Sequence, residues 1–281
     1  MGTGIPKRLK RRAPDRGLQP ASAPKLGKSV PALRFGSLTV RVFPTPDQLA
    51  QAAAAEVSRI LAAALSKQRF AAVILATGNS QIRFLELLAG TGGIDWSRVT
   101  LFHMDEYLGL SASHPASFRR YMRERVETRF KPRAFHYLDG DCAQPILECE
   151  RYERLLRAQP IDLCCLGIGE NGHLAFNDPP VADFKEKRWV KIVKLDDACK
   201  RQQVGEGHFS SLASVPAYAI TLTIPALLSA KRLLCLVPES RKAIAVRNTL
   251  LGPISVTCPA SILRRQPHAT LLLDKASGAL L

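Results

Sequence analysis

Three short stretches combine residue types that could do chemistry. Residues 161–178, IDLCCLGIGENGHLAFND, run from an apolar segment into a glycine-rich turn that presents Asn171, His173 and Asp178. A histidine in such a turn either packs as a cap or works as a proton carrier, and polar neighbours favour the second. FHMDEY at 102–107 sets Asp105 and Glu106 directly after an apolar run. A partly desolvated carboxylate there can take a proton from a carbon next to a carbonyl; the plainer alternative is that Asp105 caps a turn while Glu106 faces water. The third stretch is Thr77-Gly78-Asn79-Ser80. Its glycine lets a ligand approach the backbone, and a following helix would direct free N–H groups at a phosphate, although any strand-to-helix turn favours such residues. Lys242, opening a late helix, is either a cation for a phosphate or a solvated lysine. The sequence has no dinucleotide fingerprint, Walker loop or metal-ligand spacing. An anion cradle, a base and a histidine without a cofactor motif point to cofactor-free chemistry on a small phosphorylated substrate.

The elements that must position these groups alternate in period. Residues 38–43, 71–76, 99–103, 161–166, 233–237 and 269–273 are short apolar runs with β-branched residues, and 190–193 and 218–224 are weaker strand candidates. Between them lie helical patterns. Thr45 before Pro46 reads as an N-cap followed by a first-turn proline, and Leu49, Ala53, Val57, Ile60, Leu61 and Ala64 recur at helical spacing. Further helices are expected over 82–90, 115–129, 148–157, 243–250 and 259–263. This predicts a single Rossmann-like, doubly wound α/β/α domain over 36–281 with a mostly parallel sheet, whose strand ends would gather the three stretches at one edge.

The chain has 281 residues, 46% of them hydrophobic, and a net charge of +16. Residues 1–34 hold nine Lys or Arg against Asp15 alone, supplying +8 of that charge. A tail over 1–35 with so few apolar residues is expected to be disordered. Its KRLKRR cluster could touch an anionic partner, but no helix-turn-helix fits in it and nucleic acid is not the expected partner. No apolar run is long enough for a membrane span, and the N-terminus lacks the apolar core of a secretory signal. On that ground the chain is expected in the cytoplasm, and the seven cysteines, which lack a C-x-x-C pair and fall mostly in apolar contexts, read as reduced, structural thiols.

Taken together, TGNS, MDEYLGL with HP a few residues later, GIGENGHLAFNDP and VPAYAITLTIPALLSAKRLLCLVPESRKA closely resemble glucosamine-6-phosphate deaminases. The resemblance spans roughly residues 38–274. It implies conversion of glucosamine 6-phosphate and water to fructose 6-phosphate and ammonia, without a cofactor. It further implies that Asp105 moves a proton from C2 to C1 and that His173 assists ring opening. Gly78, Asn79, Ser80 and Lys242 would hold the phosphate, with Thr77, Glu106, Gly169, Glu170 and Gly172 around the substrate. A basic residue between the histidine loop and Val215 is also expected on the phosphate, assigned to Arg201. The family contains monomers and hexamers, so a homo-oligomer stays open.

Two positions depart from the family pattern. Asn171 stands where an aspartate is usual two residues before the histidine, and Asp178 replaces a longer glutamate. An asparagine can fix a histidine tautomer but cannot stabilise its cation by charge, so Asp178 is expected to be the carboxylate partner of His173. The similar 6-phosphogluconolactonases are the nearest alternative; MDEYLGL and AFND, in place of an SLFP-like continuation, argue for the deaminase. A non-catalytic sugar-phosphate sensor is a second alternative, which retention of Asp105 and His173 disfavours.

Overall fold

The computed structural model describes residues 1–2 and 30–281. The expectation of a disordered tail therefore falls almost wholly outside the described residues. The sheet itself begins before the expected boundary at 36, because β1 (Ala32–Phe35) pairs antiparallel with β2 (Leu38–Phe43) through a turn at Gly36.

After β2, helix α1 (Pro46–Leu65) starts as its sequence demands: Thr45 is extended, its hydroxyl accepts from Gln48 N at 3.2 Å, and Pro46 occupies the first turn. Such a cap stabilises by about 1 kcal/mol. Next come β3 (Ala71–Leu75), α2 (Asn79–Gly90), β4 (Val99–His103) and a short β5 (Asp105–Tyr107). The helix expected over 115–129 is broken into α3 (Phe118–Met122), a π-turn over Arg123–Glu127, and α4 (Thr128–Phe130). The chain continues through β6 (Ala134–His136), α5 (Pro145–Arg157), β7 (Leu163–Leu166), β8 (Val190–Lys194), α6 (Asp197–Gly205), β9 (Tyr218–Leu222), α7 (Ile224–Leu228), β10 (Leu233–Val237), α8 (Ala243–Leu251) and β11 (Ala269–Asp274).

Among the described residues the main sheet has eight strands in the order β1-β2-β11-β10-β7-β3-β4-β6, and every pairing but β1–β2 is parallel. Its central strands β10, β7, β3 and β4 are buried along their whole length, as strands covered on both faces require. Val73, Leu101, Leu234 and Leu272 face α1 and α2, packing with Leu49, Val57, Leu61 and Phe84. Ile74, Phe102, Cys164 and Cys235 point the other way, toward Tyr152 and Leu156 of α5 and Val246 and Leu250 of α8. The result is the expected α/β/α sandwich.

The strands expected around 190 and 218 belong elsewhere. They form β8 and β9 of a separate antiparallel sheet, β5-β9-β8. β8 is only partly covered, with Val190 and Val193 buried and Lys194 exposed, unlike the fully buried strands of the main sheet. This small sheet, with α3 and α6, carries its own aromatic core of Tyr107, Phe118, Phe176 and Phe209 and stands over the carboxyl edge of the main sheet. No helix among the described residues is long and apolar enough to cross a membrane.

Candidate active site

Four neighbouring strands, β10-β7-β3-β4, each end in one of the polar stretches singled out above. β3 runs into Thr77–Ser80, β4 into Asp105, β7 into the glycine–histidine loop and β10 into Lys242. They open into one cleft of about 600 Å³ including its mouth. This is the crevice beyond the carboxyl ends of parallel strands where open α/β sheets take their ligands.

At one end of the cleft lies an anion cradle. Gly78 has φ +100°, a conformation that suits glycine, and turns the chain so that α2 starts with its amino end toward the cleft. Tyr121 fixes this turn by donating to Gly78 O at 3.0 Å. Lys242, delivered by a turn over Ser240–Lys242, is only 4% exposed and lines the same space. Burial lowers its pKa, while Glu206 pulls the other way.

Asp105 also lines the cleft, buried, with Oδ1 lacking any hydrogen-bond partner. Its pKa is pushed well above the ordinary carboxylate range, first by burial and then by the charge of Glu106. Glu106 is on the opposite face of β5, as strand alternation demands, and does not line the cleft. Its carboxylate accepts from Ser117 Oγ at 2.8 Å, from the backbone N–H groups of Tyr107, Phe118 and Arg119 at 2.8–3.1 Å, and meets Arg119 Nε at 3.4 Å. The expected substrate contact is thus an anchor that holds the start of α3 to β5.

His173 lines the cleft with its ring oriented from behind. Nδ1 lies 2.8 Å from Asn171 Oδ1 and 2.9 Å from Asp178 Oδ1. Both are acceptors, so Nδ1 carries the proton and Nε2 is the free, basic nitrogen. Asn171 also donates from Nδ2 to Asp178 Oδ1 at 2.8 Å. The amide therefore bridges the histidine and the carboxylate, where an aspartate would set two like charges together. Burial alone would raise the Asp178 carboxyl, but His173 and the donors Asn171 and Cys199 outweigh it and hold the group below the usual range. Gly169 makes room for this arrangement: a Cβ there would overlap the His173 ring.

Of the remaining expected residues, Thr77, Asn79, Ser80 and Gly169 line the cleft, whereas Glu170, Asn171, Gly172, Asp178 and Arg201 do not. Asn171 and Asp178 act behind His173, and Gly172 packs against Cys258. Arg201 is exposed and lines a neighbouring depression with Glu170, Asn171 and Arg241. Its place in the cleft is taken by Gln202, Gln203, Glu206 and His208, from α6 and the turn after it. These were not anticipated because α6 is polar, burying only Cys199 and Gln203; the usable signal was Asp196-Asp197, a cap and first-turn acid, of which Asp196 accepts from Cys199 N at 2.7 Å. Glu206 Oε1 accepts from Arg241 and Gln202, each at 2.9 Å, and Oε2 lies 3.4 Å from His208 Nε2. Burial opposes its ionisation, but His208, Lys242 and Arg241 prevail and hold it at about 2. Among the described residues no cluster of three or more His, Cys, Asp or Glu could hold a metal ion.

A family model described as glucosamine-6-phosphate isomerases/6-phosphogluconolactonase matches residues 44–272. The glucosamine-6-phosphate deaminase of Exiguobacterium sibiricum is 36% identical over 207 residues, 74% of this chain and 80% of its own. Among solved structures, a monomeric glucosamine-6-phosphate deaminase superposes with a TM-score of 0.78 at 32% identity, over 86% of this chain and 99% of that one. A 6-phosphogluconolactonase from Shewanella baltica shares the fold, with a TM-score of 0.69 at 20% identity over 84% and 97% of the two chains.

Proposed function

The chain belongs to the family of glucosamine-6-phosphate isomerases and 6-phosphogluconolactonases, and from that premise we propose that it converts glucosamine 6-phosphate and water to fructose 6-phosphate and ammonia. The observation that carries this reading is what one cleft brings together: a buried, unpartnered Asp105 oxygen and the His173 ring, with the Thr77–Ser80 turn and Lys242. Hydrolysis of a lactone needs no base poised over a carbon, whereas moving a proton between adjacent carbons does.

The phosphate binds at the amino end of α2 and at Lys242, with His208 as the further basic contact in place of Arg201. Anchoring there sets the reacting carbons beside Asp105. His173 Nε2 takes the proton of the anomeric hydroxyl and returns it to the ring oxygen, opening the pyranose; Asp178 and Asn171 hold the ring in the required tautomer. Asp105 then removes the C2 proton while the C1 oxygen takes one from the neighbouring ammonium group, giving an enolamine, and Asp105 delivers its proton to C1. The resulting C2 imine adds water and releases ammonia, leaving the ketone. A raised Asp105 pKa makes the carboxylate a stronger base for this step. The unpaired state of all seven cysteines fits a reducing compartment, and we place the reaction in the cytoplasm.

The test is release of ammonia and fructose 6-phosphate from glucosamine 6-phosphate by the wild type and by Asp105→Asn, without added metal or nucleotide. Wild-type release that Asp105→Asn lacks supports the assignment. Turnover of 6-phosphogluconolactone with no ammonia from the amino sugar overturns it in favour of the lactonase, and inactivity on both overturns the enzyme reading.

A further inference from the structure

Tyr107 is fully buried and boxed by Phe118, Phe176 and Phe209, whose ring centroids lie 5.0–5.3 Å from its own. Its hydroxyl reaches one polar partner on another element, Gln203 Oε1, at 2.6 Å. Burial and the nearby Cys199, Asp105, Glu106 and Glu206 keep this phenol protonated, so it always has a proton to give. Turning the Gln203 amide round would set its NH₂ against the phenol and strand that proton in an apolar box, which is costly. The amide is therefore locked with oxygen toward Tyr107 and nitrogen away from it.

Gln203 is 5% exposed and lines the cleft, and Nε2 donates to no protein group among the described residues. The amide nitrogen of this nearly buried side chain is thus the part left open to the cleft, and its two protons are donors available to a ligand there. Tyr107 and Asp105 stand two residues apart on the same face of β5, and β5 is held by β9. A contact from Gln203 thus fixes the ligand relative to the strand that carries Asp105.

We propose that Gln203 is a substrate-binding residue, donating from Nε2 to an oxygen of the bound sugar phosphate, with Tyr107 as the residue that sets its orientation. This rests on the assignment of the cleft to an amino sugar phosphate. The acceptor is a hydroxyl or a phosphate oxygen, and a carboxylate, an ether or a carbonyl at the same place would serve a different ligand equally.

Gln203→Glu removes the donor while glutamate still accepts from Tyr107 and fills the same space, and Gln203→Ala removes it without the added charge, so a loss seen with glutamate but not with alanine is the charge and overturns the proposal. The expected result is an unchanged melting temperature with kcat/KM for glucosamine 6-phosphate lowered about tenfold or more. Tyr107→Phe should lower kcat/KM less, by releasing the amide without removing it. Competitive inhibition by fructose 6-phosphate and by inorganic phosphate locates the acceptor: weakening for the sugar phosphate alone assigns a hydroxyl, and equal weakening of both assigns the phosphate. Gln203→Glu and Gln203→Ala that stay within twofold of the wild type in kcat/KM and in both inhibition constants would overturn the proposal while leaving deamination intact. If the wild type releases no ammonia, the functional reading fails separately, and the thermal shift given by fructose 6-phosphate in wild type and Gln203→Glu still decides whether Gln203 meets a sugar phosphate.

Discussion

His173 Nδ1 stands 2.9 Å from Asp178 Oδ1, with Asn171 bridging the two from the side. One carboxylate thus orients the imidazole, and its charge is available to stabilise the imidazolium that forms when Nε2 takes a proton.

Asp178→Asn should keep the ring in place, since an amide oxygen can still accept from Nδ1, but remove the charge. Turnover is expected to fall about 10- to 100-fold, the usual cost of losing such an orienting partner. Steady-state kinetics of the variant check this, and wild-type turnover would remove Asp178 from the mechanism.

Asp105→Asn should lower kcat about 10²- to 10⁴-fold as a lost proton-transfer base. The pH dependence has two opposite signs. Activity needs the carboxylate, so it falls as pH drops through the raised Asp105 pKa, placing the acid limb above the range of an ordinary aspartate. Stability runs the other way: the folded pKa exceeds the unfolded one, so ionising Asp105 costs stability as pH rises through the folded value. Urea midpoints over a pH series should show Asp105→Asn more stable than wild type above that value, the two converging where both side chains are neutral in either state.

Glu106→Ala should act on folding rather than on substrate. It strips the acceptor from the Ser117 hydroxyl and three backbone N–H groups and leaves Arg119 short of a buried counter-charge. A loss of about 3–5 kcal/mol is expected for breaking a buried charged pair. Chemical denaturation measures it; full stability with a raised KM would return Glu106 to the substrate.

Gly169→Ala places a methyl where the His173 ring now lies. The flexible partner is the ring, so the fold should survive while the imidazole swings off Asp178. The expected outcome is at least a tenfold loss of kcat, following the misplacement of a catalytic group, with a melting temperature close to wild type.

The sequence alone carried the pieces of chemistry and their delivery. Each polar stretch directly follows an apolar run, and a parallel sheet brings such ends to one edge, so the sequence already implies that Thr77–Ser80, Asp105, His173 and Lys242 meet, as they do in the cleft. Local chemistry is legible in this way because glycine turns, caps and strand periods depend on neighbouring residues. What only the tertiary structure decided were facing and phase. Asp105 and Glu106 are chemically alike and adjacent, and pairing of β5 with β9 sends one to the cleft and the other to Arg119. β1 was hidden by its basic surroundings, and β8 and β9 look like any short strands until their partners are known. In α6, the start of the helix at Asp196 sets which side chains reach the cleft, so Gln202, Gln203 and Glu206 face inward and Arg201 does not. A one-residue change of helical phase turns each side chain by about 100°, and that phase is fixed by contacts made with the rest of the fold.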